Sequence, residues 1–172
     1  MENSKKEFNS KIFKNKDFSS KDFSEYLFSD CKFYGCNLSN INLENTKLQY
    51  VSFIDCKILG INFSKCNQLI LNFSFENSYL SNCIFSEMKI KESVFKNCKI
   101  LECDFSDNDL SFSDFEGSNL AGTFFIKNNL SFASFLNCKN YSINPKENIF
   151  KKTKFSLPEA VSLLNFFDIE IK

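Results

Sequence analysis

The chain has 172 residues, its 21 lysines balance 21 acidic residues to a formal net charge of zero, and it contains no arginine, histidine or tryptophan. That length suits one domain of ordinary size. Without histidine an enzyme lacks its commonest general acid–base and a Cys or Ser nucleophile its usual partner, and without arginine direct nucleic-acid binding is equally unsupported.

At the N-terminus, Met1 to Phe18 contains no signal-type apolar core. Nowhere does the chain approach the roughly 18 consecutive apolar residues of a membrane span. A cytoplasmic protein without membrane contact is expected. The lysines clustered between Lys5 and Lys16 read as a solvated terminal arm.

From Phe8 to Phe135 a large apolar residue recurs every fifth position with a single break. The series runs Phe8, Phe13, Phe18, Phe23, Phe28, Phe33, Leu38, Leu43, Leu48, Phe53, Ile58, Phe63, Gln68 and Phe73, then Leu80, Phe85 and every fifth residue to Phe135; 25 of these 26 are Phe, Leu or Ile. A period of five matches neither the helix period of about 3.6 nor the strand period of about two. A repeat this short cannot bury its own apolar face, so the units must stack into a solenoid. With the recurring residue taken as the centre of a repeat, the residue two before it is never charged from Cys31 on. The other three positions hold nearly all the Asn, Asp, Glu, Lys and Ser. Two residues in five therefore face inward and three face solvent.

The break falls between Phe73 and Leu80, where the spacing is seven. A bulge or kink is expected within residues 74–79, dividing the rod into two stacks. All eight cysteines, Cys31, Cys36, Cys56, Cys66, Cys83, Cys98, Cys103 and Cys138, occupy the inward position two before a centre. They are expected to be free, inert core fillers. With no histidine and no C-x-x-C pair, no metal site is expected.

Between Ile100 and Ile126 there is no lysine, while Glu102, Asp104, Asp107, Asp109, Asp114 and Glu116 all take outward positions. On a coil of about 20 residues, which the family resemblance described below implies, residues 20 apart share a column, and of these six only Asp107 lies over another acid, Glu87. The acids form a belt around one coil, a candidate partner-binding surface. Phe112 and Phe132 are also 20 apart, both at the outward position two after a centre. They are expected to stack and to meet a partner or the chain's own C-terminal segment, with the latter favoured.

The five-residue pattern is expected to end at Asn140-Tyr141-Ser142-Ile143-Asn144-Pro145, leaving residues 1–140 as solenoid and 141–172 as a cap. Ser156-Leu157-Pro158-Glu159 reads as a capping box, with Ser156 as N-cap and a helix over about residues 157–166. Leu157, Ala160, Val161, Leu164 and Phe167 would make one apolar face. That face needs a partner, either the open end of the solenoid or the same segment of a second chain.

The repeat, in segments such as Ser29-Asp30-Cys31-Lys32-Phe33 and Gly117-Ser118-Asn119-Leu120, resembles the pentapeptide-repeat family over about four-fifths of the chain. The resemblance implies an all-β, right-handed, four-sided β-helix in which each pentapeptide makes one side. At the usual strand spacing the rod would be on the order of 30 Å long. The ending, with Tyr141-Ser142-Ile143, Asn144-Pro145 and the run from Lys152 to Leu157, looks like the C-termini of the quinolone-resistance (Qnr) type. In that group the C-terminal helix joins two rods, which implies homodimer contacts at Leu157, Val161, Leu164 and Phe167. The group binds type II topoisomerases, DNA gyrase or topoisomerase IV, by imitating DNA; no cofactor is expected for this chain. The neutral charge of this chain keeps an alternative open, an interaction module with an unrelated partner.

Overall fold

The computed structural model describes residues 6–170. Each pentapeptide spans one side of a square coil, and the chain returns to the same column after one circuit. The parallel register shows this directly: Phe8 pairs Phe28, Phe13 pairs Phe33, Leu80 pairs Ile100, and Phe105 pairs Phe125. About seven coils stack into the expected right-handed β-helix.

The centres fill the interior. Phe33, Phe53, Phe75, Phe95, Phe115, Phe135 and Phe155 form one ladder, with ring centroids 4.8–5.3 Å apart and planes within 19° of parallel. Phe63, Phe85, Phe105 and Phe125 form a second, at 4.6–5.1 Å. The two ladders meet edge to face, as at Phe85–Phe95 with planes at 89°. Both arrangements suit the ring quadrupole.

Three further positions are fixed by backbone chemistry. The residue two after the centre turns the corner with left-handed φ, from Ser10 at 52° to Asn137 at 57°. Small or flexible polar residues dominate there because this conformation disfavours a bulky side chain. An Asn or Asp just before the centre accepts the N–H of the residue just after it, as Asp109 does from Ser111 at 3.2 Å and Asn119 from Ala121 at 3.2 Å. At many repeats a polar inward residue two before the centre donates to a centre carbonyl of the coil below. Examples are Thr123 to Ile100 at 2.8 Å, Cys138 to Phe115 at 2.9 Å and Asn148 to Phe125 at 2.8 Å.

Spacing alone puts the two extra residues at 74–79; the structure puts them at 68–71. Phe53 pairs Phe75, Val51 pairs Phe73 and Leu48 pairs Leu71, with the register shift between Leu48 and Val51. Phe75 is therefore the centre, with Asn77 at its corner (φ 49°), and Phe73 fills the smaller inward position. The cause is Gln68. A centre inside a phenylalanine ladder would leave its amide without partners. The side chain swings out instead and donates to the carbonyls of Ser64 at 3.0 Å and Cys66 at 2.9 Å. Leu69 is 93% exposed, and Leu71 packs against the core in place of Gln68. The stack is not divided there, because the strand Leu71–Glu76 pairs on both sides, with Lys47–Ile54 and with Val94–Lys96.

The boundary at 140 is also corrected. Asn129 pairs Ile149, Ser134 pairs Lys154 and Phe135 pairs Phe155, so the last coil runs to Phe155. It is hidden in sequence because Asn140 and Pro145 stand where centres belong. Tyr141 supplies the missing ring, 6.3 Å from Phe135 and 5.7 Å from Phe155. The capping box does not form either. The Ser156 hydroxyl accepts the Asn137 N–H at 2.8 Å, because Ser156 is still part of the coil. The helix that follows is a 3-10 helix, Glu159–Phe166, with no side-chain cap.

Candidate partner-binding surfaces

The six belt acids fall into two kinds. Asp104, Asp109 and Asp114 lie just before centres and are engaged. Asp104 accepts the Ser86 hydroxyl at 3.0 Å and the Ser106 hydroxyl. Asp109 accepts the Ser111 N–H and hydroxyl and pairs with Lys91 at 3.2 Å. Partial burial pushes the Asp109 carboxyl up, but the Ser111 hydrogen bonds and the Lys91 ammonium outweigh it and hold the pKa below the ordinary value. Asp114 accepts the Glu116 N–H at 3.0 Å and pairs with Lys96 at 2.8 Å, and Glu116 lies 3.8 Å from the same ammonium. The hydrogen bond and charge of Asp114 raise the Lys96 pKa.

Glu102 and Asp107 differ. Both are corner residues with left-handed φ, and neither has an ion pair or side-chain hydrogen bond among the described residues. Two more corner acids share that state, Glu87 directly below Asp107, and Glu92. The free carboxylates of this region are the corner set Glu87, Glu92, Glu102 and Asp107, and Glu87 and Glu92 lie outside the sequence-defined belt. All four lie at the position two after a centre, but that position alone does not free an acid, since the corner residue Glu25 pairs with Lys6 at 3.3 Å.

Phe112 and Phe132 stack as the register requires, with centroids 4.7 Å apart and planes 3° from parallel. Phe112 is 55% exposed and Phe132 half-buried. Neither ring has another aromatic contact among the described residues, and the Phe132 N–H donates to the Lys151 carbonyl of the last coil at 2.8 Å.

The helix Glu159–Phe166 docks through Leu163, which packs against the core, and through Ser162, whose hydroxyl reaches the Tyr141 carbonyl at 3.5 Å. Leu157, Val161, Leu164 and Phe167 stay exposed, at 78, 44, 39 and 42%. Val161 and Leu164, three residues apart, lie within the helix, while Leu157 precedes it and Phe167 follows it. The Lys146 ammonium lies 5.1 Å from the Phe167 ring centre.

Two models of one family match the sequence: the pentapeptide repeat region over residues 6–73, and pentapeptide repeats (8 copies) over residues 109–139. The chain belongs to the pentapeptide-repeat family. No curated protein matches it by sequence. Two solved structures of QnrB1, each trypsin-treated and described as a plasmid-mediated fluoroquinolone resistance protein, are similar in fold. One is 19% identical with a TM-score of 0.53, over 96% of this chain and 90% of that one. The other is 18% identical with a TM-score of 0.52, over 96% and 91%.

In this pentapeptide-repeat chain the inward cysteines do more than fill space. Cys56 donates to the Phe33 carbonyl at 3.4 Å and Cys36 to that of Phe13 at 3.6 Å. All eight are free and buried. Burial pushes the Cys56 thiol up to about 11, and those of Cys66, Cys98 and Cys138 up to about 12. Such thiols are poor nucleophiles. No helix among the described residues is long and apolar enough to cross a membrane.

Proposed function

We propose that this rod binds a type II topoisomerase, DNA gyrase or topoisomerase IV, as a mimic of DNA, and so shields it from quinolones or toxins in the cytoplasm. The observation that carries the reading is the set of unpaired corner carboxylates, Glu87, Glu102 and Asp107, held on a rigid stack. Family membership and the likeness to a fluoroquinolone resistance protein support it. A surface that grips DNA is lined with cations, and carboxylates carried on an already ordered backbone meet it without the cost of ordering the chain. Long-range attraction would speed the encounter and weaken with salt. Shape and charge do this work, so the reading needs no catalysis, cofactor or metal. The exposed Leu157, Val161, Leu164 and Phe167 support a homodimer joined through the C-terminal segments.

Supercoiling by gyrase, titrated with this protein with and without a fluoroquinolone, tests the reading. Relief of drug inhibition is expected, and Glu102→Gln with Asp107→Asn should weaken it. Gyrase that neither binds the protein nor changes its drug response would overturn it. The zero net charge and the exposed apolar corner favour a second reading, an interaction module for an unrelated partner.

A further inference from the structure

We infer that the corner formed by Glu92, Phe112, Phe132 and Lys152 is a contact between two copies of this chain lying side by side and antiparallel. The four residues occupy one column, each at the corner of its coil, with φ of 58, 62, 61 and 54°. Backbone bonds tie the levels together: Glu92 N–H to Ser111 O at 3.0 Å, Phe112 to Ser131 at 2.9 Å and Phe132 to Lys151 at 2.8 Å. Equivalent backbone geometry makes the side chains leave the rod in parallel, and the 4.7 Å face-to-face stack of the two rings confirms it.

Three observations single out this column. Left-handed φ disfavours bulky side chains, yet two phenylalanines stand there in succession. Phe112 is 55% exposed, so the rings do not serve the core. Glu92 and Lys152, at opposite ends of the column, have no ion-pair partner among the described residues.

The order acid, ring, ring, base is complementary to its own reverse. A two-fold axis between the levels of Phe112 and Phe132 sets Phe112 against Phe132 of the second copy and Glu92 against Lys152 of the second copy. Each contact then occurs twice, as an isologous interface requires. Parallel copies would oppose like charges. The flanks permit close approach, since Ser111 and Ser131 are small and Lys91 is turned to Asp109 at 3.2 Å. The surface is separate from the exposed face of the C-terminal helix and does not depend on topoisomerase binding.

The test is sedimentation of the full chain at rising concentration, where a patch this small should give a dissociation constant on the order of tens of micromolar. Association should persist in Leu164→Asp, which removes an end-to-end contact. Glu92→Lys or Lys152→Glu alone should weaken it about tenfold, and the two together should restore it to within about threefold, because the pairs are re-formed with signs exchanged. Phe112→Ser with Phe132→Ser should abolish it without lowering the melting temperature. Absence of lateral association in the wild type, unchanged mass in the double Ser variant, or no restoration by the charge swap would each overturn the inference.

Discussion

The coils from Phe95 to Phe135 and the coil from Phe63 to Phe75 are built from the same repeat, and they differ in one centre. In the first region every centre is apolar and fully or almost fully buried, and Ser118, Thr123 and Cys138 each donate to a centre carbonyl one coil below, while the Asn108 amide oxygen accepts the Met88 N–H at 2.8 Å and its nitrogen is buried without a partner. In the second, Gln68 occupies a centre and the chain loops out around it, so that Leu71, half-buried, replaces a ring or aliphatic side chain. The fold tolerates an irregular side at little cost because each coil contacts only its neighbours. Stability is local, and substitutions should report which coil they fall in.

The largest contrast is expected at the centres. Phe105→Ala removes a ring stacked on Phe85 and Phe125 and should cost about 3–5 kcal/mol, whereas Leu71→Ala in the bulged coil should cost about 1 kcal/mol. Denaturant unfolding of the two variants measures the gap, and equal losses would show that the bulge is packed as firmly as the regular coils.

Inward polar residues come next. The Ser118 hydroxyl accepts the Cys98 N–H at 2.9 Å and donates to the Phe95 carbonyl. Ser118→Ala leaves both groups buried and unpaired and should cost about 1–3 kcal/mol. Gln68→Ala, at the exposed bulge, should change stability by less than about 0.5 kcal/mol.

The thiols sharpen the same comparison through pH. Burial raises Cys98 and Cys138 from an ordinary 9.0 to about 12, so the folded protein keeps protons that the unfolded chain releases. The stability this contributes is complete below pH 9 and lost as the pH climbs through 12. The melting temperature should fall across that interval, and replacing both cysteines by Ser should flatten the fall. A slope identical to wild type would mean that these thiols are not buried as described.

The smallest expected effect separates the two kinds of acid. Asp109→Ala loses the turn bonds to Ser111 and the pair with Lys91 and should cost about 1 kcal/mol. Asp107→Ala, at a free corner, should cost less than about 0.5 kcal/mol, since exposed charges contribute little to folding. Thermal melts of the two variants should rank them in that order.

Much of the coil was legible because the repeat makes each residue's environment depend on its place in five. Phe112 and Phe132 are 20 apart, one coil of the length that the family resemblance implies, and they stack as that length requires. The bulge was misplaced because Phe73 and Phe75 are both phenylalanine, so the count could continue one unit too far before breaking. Which of the two enters the ladder is settled by pairing with Val51 and Phe53 on the neighbouring strand. The last coil was missed for the opposite reason. Asn140 and Pro145 break the pattern, and only the three-dimensional stack shows Tyr141 reaching in to fill the gap. Ser156 reads locally as a helix cap, yet its hydroxyl serves the N–H of Asn137, a neighbour only in space.

By itself, the sequence determined the solenoid, the inward placement of the cysteines and the outward placement of the acids, because a repeat of five residues cannot bury its apolar face except by stacking on its neighbours. Only the tertiary structure decided which acids are free. Asp104, Asp109 and Asp114 face outward as Glu102 and Asp107 do, but the coil below offers them Ser86, Lys91 and Lys96. The corner positions of Glu102 and Asp107 point away from every such partner. Charge is a property of a residue, whereas its availability to a partner is set by what the next coil places beside it.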